Sequence, residues 1–306
     1  MNAIEATEVC KQYGDVTALD GVDLQVESGV TFGLLGTNGA GKTTLFKLLI
    51  GHLAPDGGRL SVAGCDVERA GRSVRRDVGY LPEHAGFPDH LTGREVLRYH
   101  ARMRGLGDRT GRIETVLDRV GLAADADRRT AGYSKGMGRR LGLATALLPK
   151  PSILLLDEPT AGLDPLGIAD LHRVVDDLRA ESGLTVVLSS HVMAEVETLC
   201  DRAALLHDGE VIAAGSVGDL VGRFGGTVTV RVWLDSPDQR ETVVAIARDH
   251  ECDPAAVHEG RVDVDCPTGA APALLSALVD EIDLDGYEVR EPGLTRVFEN
   301  AVAEGP

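Results

Sequence analysis

The chain has 306 residues, of which 43% are hydrophobic and 26% are charged, a balance typical of a folded globular protein. It carries 48 acidic and 31 basic residues, and the resulting net charge of −17 argues against a nucleic-acid partner bound through phosphate contacts. No stretch approaches the ~20 consecutive apolar residues of a membrane-spanning helix, and no signal-peptide pattern is present. We therefore expect a cytoplasmic protein without a transmembrane span of its own, long enough for two domains.

The charged and sulfur-containing residues indicate little about chemistry. Only five of the 31 cationic residues are lysine, which is expected of a salt-adapted cytoplasm and equally of a GC-rich genome. The five cysteines are scattered and form no C-x-x-C pair. This spacing favours buried or idle thiols over a metal site or a disulfide framework.

Short apolar runs alternate with helical stretches over about the first 220 residues, a pattern that predicts an α/β fold with a mostly parallel sheet. The predicted buried strands cover residues 30–35, 78–81, 153–156 and 185–189. A helix is expected over about 42–50, and a long helical insertion over about 84–149. Thr92 and Glu95 form the pattern of a capping box, which predicts that the first helix of the insertion begins there.

The composition changes near Gly225 and Gly226. Beyond this pair, hydrophobic and polar residues alternate from Val228 to Leu234, as in a half-exposed strand. Further helices are predicted at about 238–249, 270–282 and 294–303, and strands near 261–266 and 286–291. We therefore expect a first domain over residues 1–222 and a small α+β domain over 227–306.

The most specific motif is a glycine-rich loop between the first predicted buried strand and a helix. Its sequence matches the P-loop pattern GxxxxGK[ST] and reads Gly36-Thr37-Asn38-Gly39-Ala40-Gly41-Lys42-Thr43, followed by Thr44. Such a loop directs backbone N–H groups and a helix N-terminus at an anion. Lys42 is suited to the β- and γ-phosphates of a nucleotide, and the Thr43 hydroxyl is suited to Mg²⁺. The motif predicts ATP and Mg²⁺ as ligands.

Two acidic residues end a later buried strand. Asp157 and Glu158 follow the apolar run 153–156, at the edge where open α/β sheets bind their ligands. Asp157 is suited to Mg²⁺, and Glu158 to polarising an attacking water. An apolar run that ends in Asp-Glu is a weak signal alone, but together with the P-loop it predicts an ATPase.

These motifs resemble those of the nucleotide-binding subunits of ATP-binding cassette (ABC) transporters, over about residues 1–220. The resemblance implies a P-loop ABC ATPase core, which is a mixed sheet with a β subdomain and a helical insertion. It also assigns Tyr13 to adenine stacking, Asp164 to the D-loop and His191 to the switch histidine that acts with Glu158. The residues Ser134, Lys135, Gly136 and Met137 correspond to the signature loop, which contacts the ATP of a partner subunit.

Two positions depart from the family pattern. The signature loop reads Tyr-Ser-Lys-Gly-Met instead of Leu-Ser-Gly-Gly-Gln, although Ser134 and Gly136 are retained. At the Q-loop position Glu83 replaces glutamine, and its carboxylate is expected to approach Mg²⁺. Both departures are similar to those of a family branch that includes multidrug-type and copper-maturation exporters.

The resemblance further implies a homodimer around two ATP molecules and a separate membrane permease, at the inner face of the cell membrane. Segments 80–95 and 188–197 are similar to the ATPase of nitrous oxide reductase copper-site maturation, with a drug- or lipid-type exporter as the alternative. A soluble ABC protein of translation or DNA maintenance is the competing class. This chain has neither a second cassette nor a basic linker or long coiled coil, which disfavours that class. The C-terminal domain is expected to serve docking or dimer stability rather than ligand sensing.

Overall fold

The computed structural model of the protein describes residues 1–304 except 108, 225, 237, 259, 268 and 291. The chain divides into two compact units, Met1–Ser216 and Val217–Pro306. None of the helices in this described part combines the length and the apolar character that crossing a bilayer requires.

The first unit contains two sheets and seven α-helices within its described residues. In chain order its elements are β1 (Asn2–Tyr13), β2 (Val16–Glu27), β3 (Thr31–Leu35), α1 (Lys42–Leu49), β4 (Gly57–Val62), β5 (Cys65–Asp66), α2 (Val67–Asp77), β6 (Val78–Leu81), α3 (Gly93–Met103), α4 (Arg109–Arg119), α5 (Lys135–Leu147), β7 (Ile153–Asp157), α6 (Pro165–Ser182), β8 (Thr185–Ser190), α7 (Met193–Leu199), β9 (Arg202–His207) and β10 (Glu210–Ser216). The predicted strands correspond to β3, β6, β7 and β8, and the predicted helix after the glycine-rich loop is α1.

The central sheet has the strand order β10-β9-β3-β8-β7-β6, and only β10 runs antiparallel to its neighbour. Every residue of β3, β7 and β8 is buried, because helices and the second sheet cover both faces of this sheet. Ser189 of β8 lies opposite Leu34 of β3 on one side and Asp157 of β7 on the other. The carboxyl ends of these three strands therefore meet at one edge.

The second sheet is the β subdomain, with the order β2-β1-β4-β5 and antiparallel pairing throughout. Its inward residues share one hydrophobic core with α1 and β3, in which Val9, Leu19, Phe32 and Phe46 are almost completely buried. This arrangement agrees with the mixed α/β core that the family resemblance implied.

Helices α3, α4 and α5 form the helical insertion. The capping box at the start of α3 is confirmed, since Thr92 Oγ1 accepts from the Glu95 N–H at 3.2 Å and Glu95 Oε2 accepts from the Thr92 N–H at 2.9 Å. At the other end of the insertion, α5 runs to the segment before β7, so one helix connects the signature loop to the central sheet.

The second unit is a small α+β structure. Its elements are α8 (Val217–Phe224), β11 (Thr227–Leu234), α9 (Gln239–Asp249), β12 (Asp253–His258), β13 (Arg261–Pro267), α10 (Ala271–Glu281), β14 (Leu284–Arg290) and α11 (Leu294–Glu304). The sheet is antiparallel with the order β12-β13-β11-β14, and α9 and α10 share its hydrophobic core. On the polar face, Arg231 binds Asp263 through two hydrogen bonds of 2.9 Å.

The division between the units precedes α8, whereas the first domain predicted from the sequence ended at residue 222, within this helix. Helix α8 packs on α11 of the second unit, and the side chain of Asn300 donates to the Phe224 carbonyl at 2.7 Å. Of the two glycines that suggested the hinge, Gly226 has a φ of 68° and Gly225 lies outside the described residues. The sequence of a short helix does not show which domain it packs against. The partner of α8 lies about seventy residues further along the chain, so the local pattern could not indicate it.

Candidate active site

The loop between β3 and α1, residues 36–41, turns tightly enough to curl its backbone around an anion. Gly39 and Gly41 have φ values of 90° and 107°, in the left-handed region that favours glycine. A Cβ atom at Gly41 would lie 2.5 Å from the Ala18 carbonyl oxygen, so a side chain there would displace the backbone. Gly41 is the N-cap of α1 and no side chain caps this helix, which leaves its first N–H groups available to a phosphate.

Lys42, the first residue of α1, is buried and reaches back across this loop. Its Nζ donates to the carbonyl oxygens of Gly36 at 2.7 Å and Thr37 at 3.1 Å. The same ammonium lies 3.2 Å from Oε1 of Glu158. Lys42 is therefore surrounded by oxygen atoms whose place phosphate oxygens can take.

Asp157 is 1% exposed and accepts hydrogen bonds from three hydroxyl groups. Its Oδ1 accepts from Ser189 at 2.7 Å and from Thr43 at 3.3 Å, and its Oδ2 accepts from the Tyr80 hydroxyl at 3.2 Å. Burial and then the nearby Asp157 charge raise the pKa of Tyr80 well above its usual range, so the phenol stays a donor. These contacts orient the carboxylate toward the start of α1, where Mg²⁺ would be held.

Glu158 connects Lys42 to His191. Its Oε2 lies 2.8 Å from Nδ1 of His191, while Oε1 is the oxygen near Lys42 that has no hydrogen-bond donor among the described groups. The Glu158 N–H donates to the Ser189 hydroxyl at 2.9 Å. Glu158 has a φ of 45°, a strained value for a residue with a side chain.

These groups line one cleft of about 420 Å³ at the carboxyl edge of the central sheet. The predicted residues that line it are Thr37, Asn38, Gly39, Gly41, Lys42, Thr43, Thr44, Glu83, Glu158 and His191. Gly36 and Ala40 support the loop from behind: Gly36 accepts from Lys42, and the buried Ala40 donates its N–H to the Thr37 carbonyl at 3.2 Å. Asp157 lies beneath the cleft.

Two further predicted residues lie at or beyond the margin of this cleft. Glu83 follows β6 with a half-exposed side chain, and its Oε1 is 3.7 Å from Nδ1 of His84. Tyr13, at the end of β1, is 44% exposed and has Lys11 Nζ at 5.9 Å from its ring centroid. Tyr13 is not among the residues that line the cleft.

Of the predicted signature loop and D-loop, Ser134, Lys135, Gly136 and Asp164 line a separate cleft of about 380 Å³, and Met137 is not among its lining residues. Ser134 is the N-cap of α5 and accepts from the Met137 N–H at 3.2 Å, and Asp164 caps α6 by accepting from the Gly167 N–H at 2.8 Å. Within this cleft, the Lys135 ammonium occupies the space that a Cβ atom of Gly162 would need. Lys135 and Gly136 line this cleft and not the one at the P-loop.

Sequence reasoning missed three residues that shape the site. Tyr80 and Ser189 lie near the carboxyl ends of buried strands, where the argument used for Asp157 also applies. Arg139 is 7% exposed within α5 and, among the residues that the structure describes, donates only to backbone carbonyls, so no side-chain motif indicates its role.

Comparison with known proteins agrees with this geometry. Residues 19–161 match the protein family described as ABC transporter. The linearmycin resistance ATP-binding protein LnrL of Bacillus subtilis (strain 168) is 33% identical over 97% of this chain and 97% of its own length. The daunorubicin resistance ATP-binding protein DrrA3 of Streptomyces coeruleorubidus is 38% identical over 94% of this chain and 92% of its own length.

Solved structures give the same result. A structure of an ATP-binding subunit of an ABC transporter superposes with a TM-score of 0.66 at 32% identity, over 73% of this chain and 93% of the other. A dimeric bacterial ABC transporter cassette superposes with a TM-score of 0.64 at 25% identity, over 70% and 98%. With these relatives, and with the P-loop, Glu158 and His191 lining one cleft, this chain belongs to the ATP-binding subunits of the ABC transporter family.

Proposed function

We propose that the chain is the motor subunit of an exporter, which closes as a dimer around two ATP molecules and drives a separate membrane permease. ATP-binding subunits of this family are ATPases coupled to transport. The observation that carries the proposal is the convergence of Lys42, Asp157, Glu158 and His191 at the carboxyl edge of β3, β7 and β8.

The cleft has the groups needed to bind a nucleotide triphosphate. The free N–H groups of the loop and of α1 face the phosphates, and Lys42 exchanges the Gly36 and Thr37 carbonyls for phosphate oxygens. Thr43 Oγ1 and Asp157 Oδ1 are 3.3 Å apart, and both are oxygen ligands of the kind that Mg²⁺ prefers. Bound there, Mg²⁺ would neutralise charge on the β- and γ-phosphates.

Glu158 is the general base of this proposal. Its carboxylate accepts a proton as a water oxygen attacks the γ-phosphorus, and the bond from phosphorus to the β–γ bridging oxygen breaks to give ADP and inorganic phosphate. His191 holds Oε2 at 2.8 Å and so fixes the direction of the carboxylate. When phosphate oxygens bind the Lys42 ammonium, this cation no longer pairs with Glu158 Oε1. That carboxylate oxygen is then available to the attacking water.

The signature loop supports a dimer. Ser134 lies in a cleft separate from the P-loop of its own chain, so its contact with ATP requires a second subunit. The similar cassette solved as a dimer supports the same assembly. Two copies arranged head to tail would place each signature loop over the other copy's nucleotide, with Tyr13 against the adenine and Asp164 beside the partner's site.

The relatives favour a drug- or lipid-type substrate. LnrL and DrrA3 match nearly the whole chain, including the second unit, and are named for resistance to linearmycin and to daunorubicin. A Nod factor export ATP-binding protein of Rhizobium etli is 36% identical over 80% of this chain. These likenesses support a drug- or lipid-type export substrate over copper-site maturation. The motor would act at the inner face of the membrane, docked on its permease.

The deciding experiment is purification from solubilised membranes of the native cell, with mass spectrometry of the co-purifying proteins. We expect one permease, and ATPase activity of the reconstituted complex that daunorubicin or linearmycin stimulates and copper does not. A permease recovered with a surface copper-handling protein would overturn the substrate class. Recovery without any membrane protein would overturn the transport role.

A further inference from the structure

Arg139 is a buried cation in the second turn of α5, between the signature loop and the catalytic turn. It is 7% exposed, and within the described part of the chain all of its hydrogen bonds are to backbone carbonyls. Burial lowers the pKa of its guanidinium, while the charges of Asp157, Glu83 and Glu158 oppose that shift. Burying a guanidinium is costly unless all its donors are satisfied, which makes its partners informative.

A guanidinium has five N–H donors, and each of them finds a carbonyl oxygen here. Nε donates to Pro159 at 2.8 Å. Nη1 donates to Pro82 at 2.5 Å and to Glu83 at 2.7 Å. Nη2 donates to Asp157 and to Glu158, both at 2.6 Å. No donor is left over, so the side chain is held in a single orientation.

The five carbonyls belong to two segments of the ATP cleft. Residues 82–83 directly follow β6, and the Glu83 side chain lines the cleft. Residues 157–159 form the catalytic turn, in which Glu158 has its strained φ of 45°. Arg139 binds the carbonyl of Glu158 and those of its two neighbours, Asp157 and Pro159. These bonds stabilise the strained backbone that directs the Glu158 carboxylate.

The other end of the connection is the signature loop. Ser134 is the N-cap of α5, and its carbonyl accepts from the Gly138 N–H at 2.9 Å in the turn that precedes Arg139. Ser134 and Arg139 are thus joined through the hydrogen-bonded first turns of one helix, and a displacement of Ser134 would be passed along it to Arg139. Through the Arg139 side chain, the displacement would reach both segments of the cleft, residues 82–83 and 157–159.

We propose that Arg139 is a positioning residue that couples the signature loop of each chain to Glu83 and Glu158 of the same chain. Contact of Ser134 with the nucleotide on a second copy would then align this copy's own base, so that the two ATP sites act cooperatively. The inference rests on the dimer of the proposed function. Lysine cannot replace Arg139, because its three donors lie on one nitrogen and cannot reach five carbonyls in two segments.

The test compares Arg139→Lys with Arg179→Lys as a matched control. Arg179 of α6 is also partly buried and binds Asp201 at 2.7 and 2.9 Å, but it lines neither cleft. For Arg139→Lys we expect the Kd for ATP to stay within about threefold of the parent value, kcat to fall roughly 10²-fold, and the Hill coefficient for ATP to fall toward one. The control should keep kcat within about twofold. Parental kcat and Hill coefficient in Arg139→Lys would overturn the proposal.

A second measurement applies if Arg139→Lys fails to fold. In Glu158→Gln with the native Arg139, amide exchange is followed against ATP concentration over residues 80–86, 133–140 and 155–163. We expect the three segments to become protected at one shared ATP concentration. Separate midpoint concentrations for the segments would overturn the coupling.

Failure of the dimer itself would be seen independently, as an absence of ATP-dependent association by light scattering. In that case nucleotide-free Arg139→Lys still tests the local contact, since exchange over 80–86 and 155–163 should exceed that of the parent. Unchanged exchange there would contradict even the positioning role.

Discussion

Lys42 Nζ lies 3.2 Å from Glu158 Oε1, and this buried carboxylate oxygen receives no hydrogen bond within the described structure. The phosphate-directed cation and the proposed catalytic base therefore neutralise one another before nucleotide arrives. Phosphate oxygens are stronger partners for the ammonium than a misaligned carboxylate, because their bonds to it are charge-assisted and well directed. In the proposed mechanism, nucleotide binding would release Glu158 from Lys42, so that both happen as a single event.

The first prediction concerns Lys42→Ala. Loss of a charge-assisted hydrogen bond to phosphate costs about 1.5–3 kcal/mol, so the Kd for ATP should rise by roughly 10- to 100-fold. Titration calorimetry with ATP measures this change. Lys47→Ala on the same helix is the control, since Lys47 does not line the cleft. Equal affinities of the two variants would contradict the role of Lys42.

The second prediction concerns Glu158→Gln. The amide cannot accept the proton of water, so kcat should fall by about 10²–10⁴-fold while ATP still binds. The amide retains an oxygen near Lys42, which should preserve the fold. Steady-state phosphate release and nucleotide binding are measured on the same preparation. Hydrolysis at the parental rate would show that Glu158 is not the base.

The third prediction concerns assembly. Glu158→Gln with ATP should be dimeric, because the closed state no longer hydrolyses its nucleotide, and adding Ser134→Arg should restore the monomer by filling the signature cleft. Size exclusion with light scattering decides this. Ser73→Arg serves as the control, since this exposed serine of α2 lines neither cleft. A monomer under saturating ATP would rule out the sandwich.

The fourth prediction concerns Tyr80→Phe. Removing the hydroxyl deletes one of the three hydrogen bonds that Asp157 accepts. The lost bond, which helps to orient the carboxylate, is worth about 1 kcal/mol. The Mg²⁺ concentration at half-maximal ATPase activity should rise about fivefold, with little change in ATP affinity. The exposed Tyr99 offers the matched Tyr99→Phe control. An unchanged Mg²⁺ midpoint in Tyr80→Phe would separate Tyr80 from the metal site.

The fifth prediction concerns salt. With 48 acidic and 31 basic residues, repulsion between carboxylates should destabilise the fold at low ionic strength. The Tm should rise steadily from dilute buffer to molar KCl. A Tm that stays constant or falls as KCl increases would leave the codon bias of a GC-rich genome as the explanation of the arginine excess.

The sequence alone determined the chemistry of the cleft and most of the elements that carry it. The P-loop, the capping box at Thr92 and the buried runs that end at Leu35 and Asp157 are local patterns, in which neighbouring residues specify both the backbone and the exposed group. Because parallel strands end at a common edge, the convergence of Lys42 and Asp157 followed from these patterns as well.

Only the tertiary structure showed what depends on contacts between distant segments. The strands of the β subdomain were not located individually, and α8 belongs to the second unit because its partner is α11. The strained turn at Glu158 and the hydroxyl donors to Asp157 depend on strand register. Arg139 is the clearest case: its five acceptors are backbone carbonyls, which every residue has, so no side-chain pattern can indicate which of them a folded chain brings to one guanidinium.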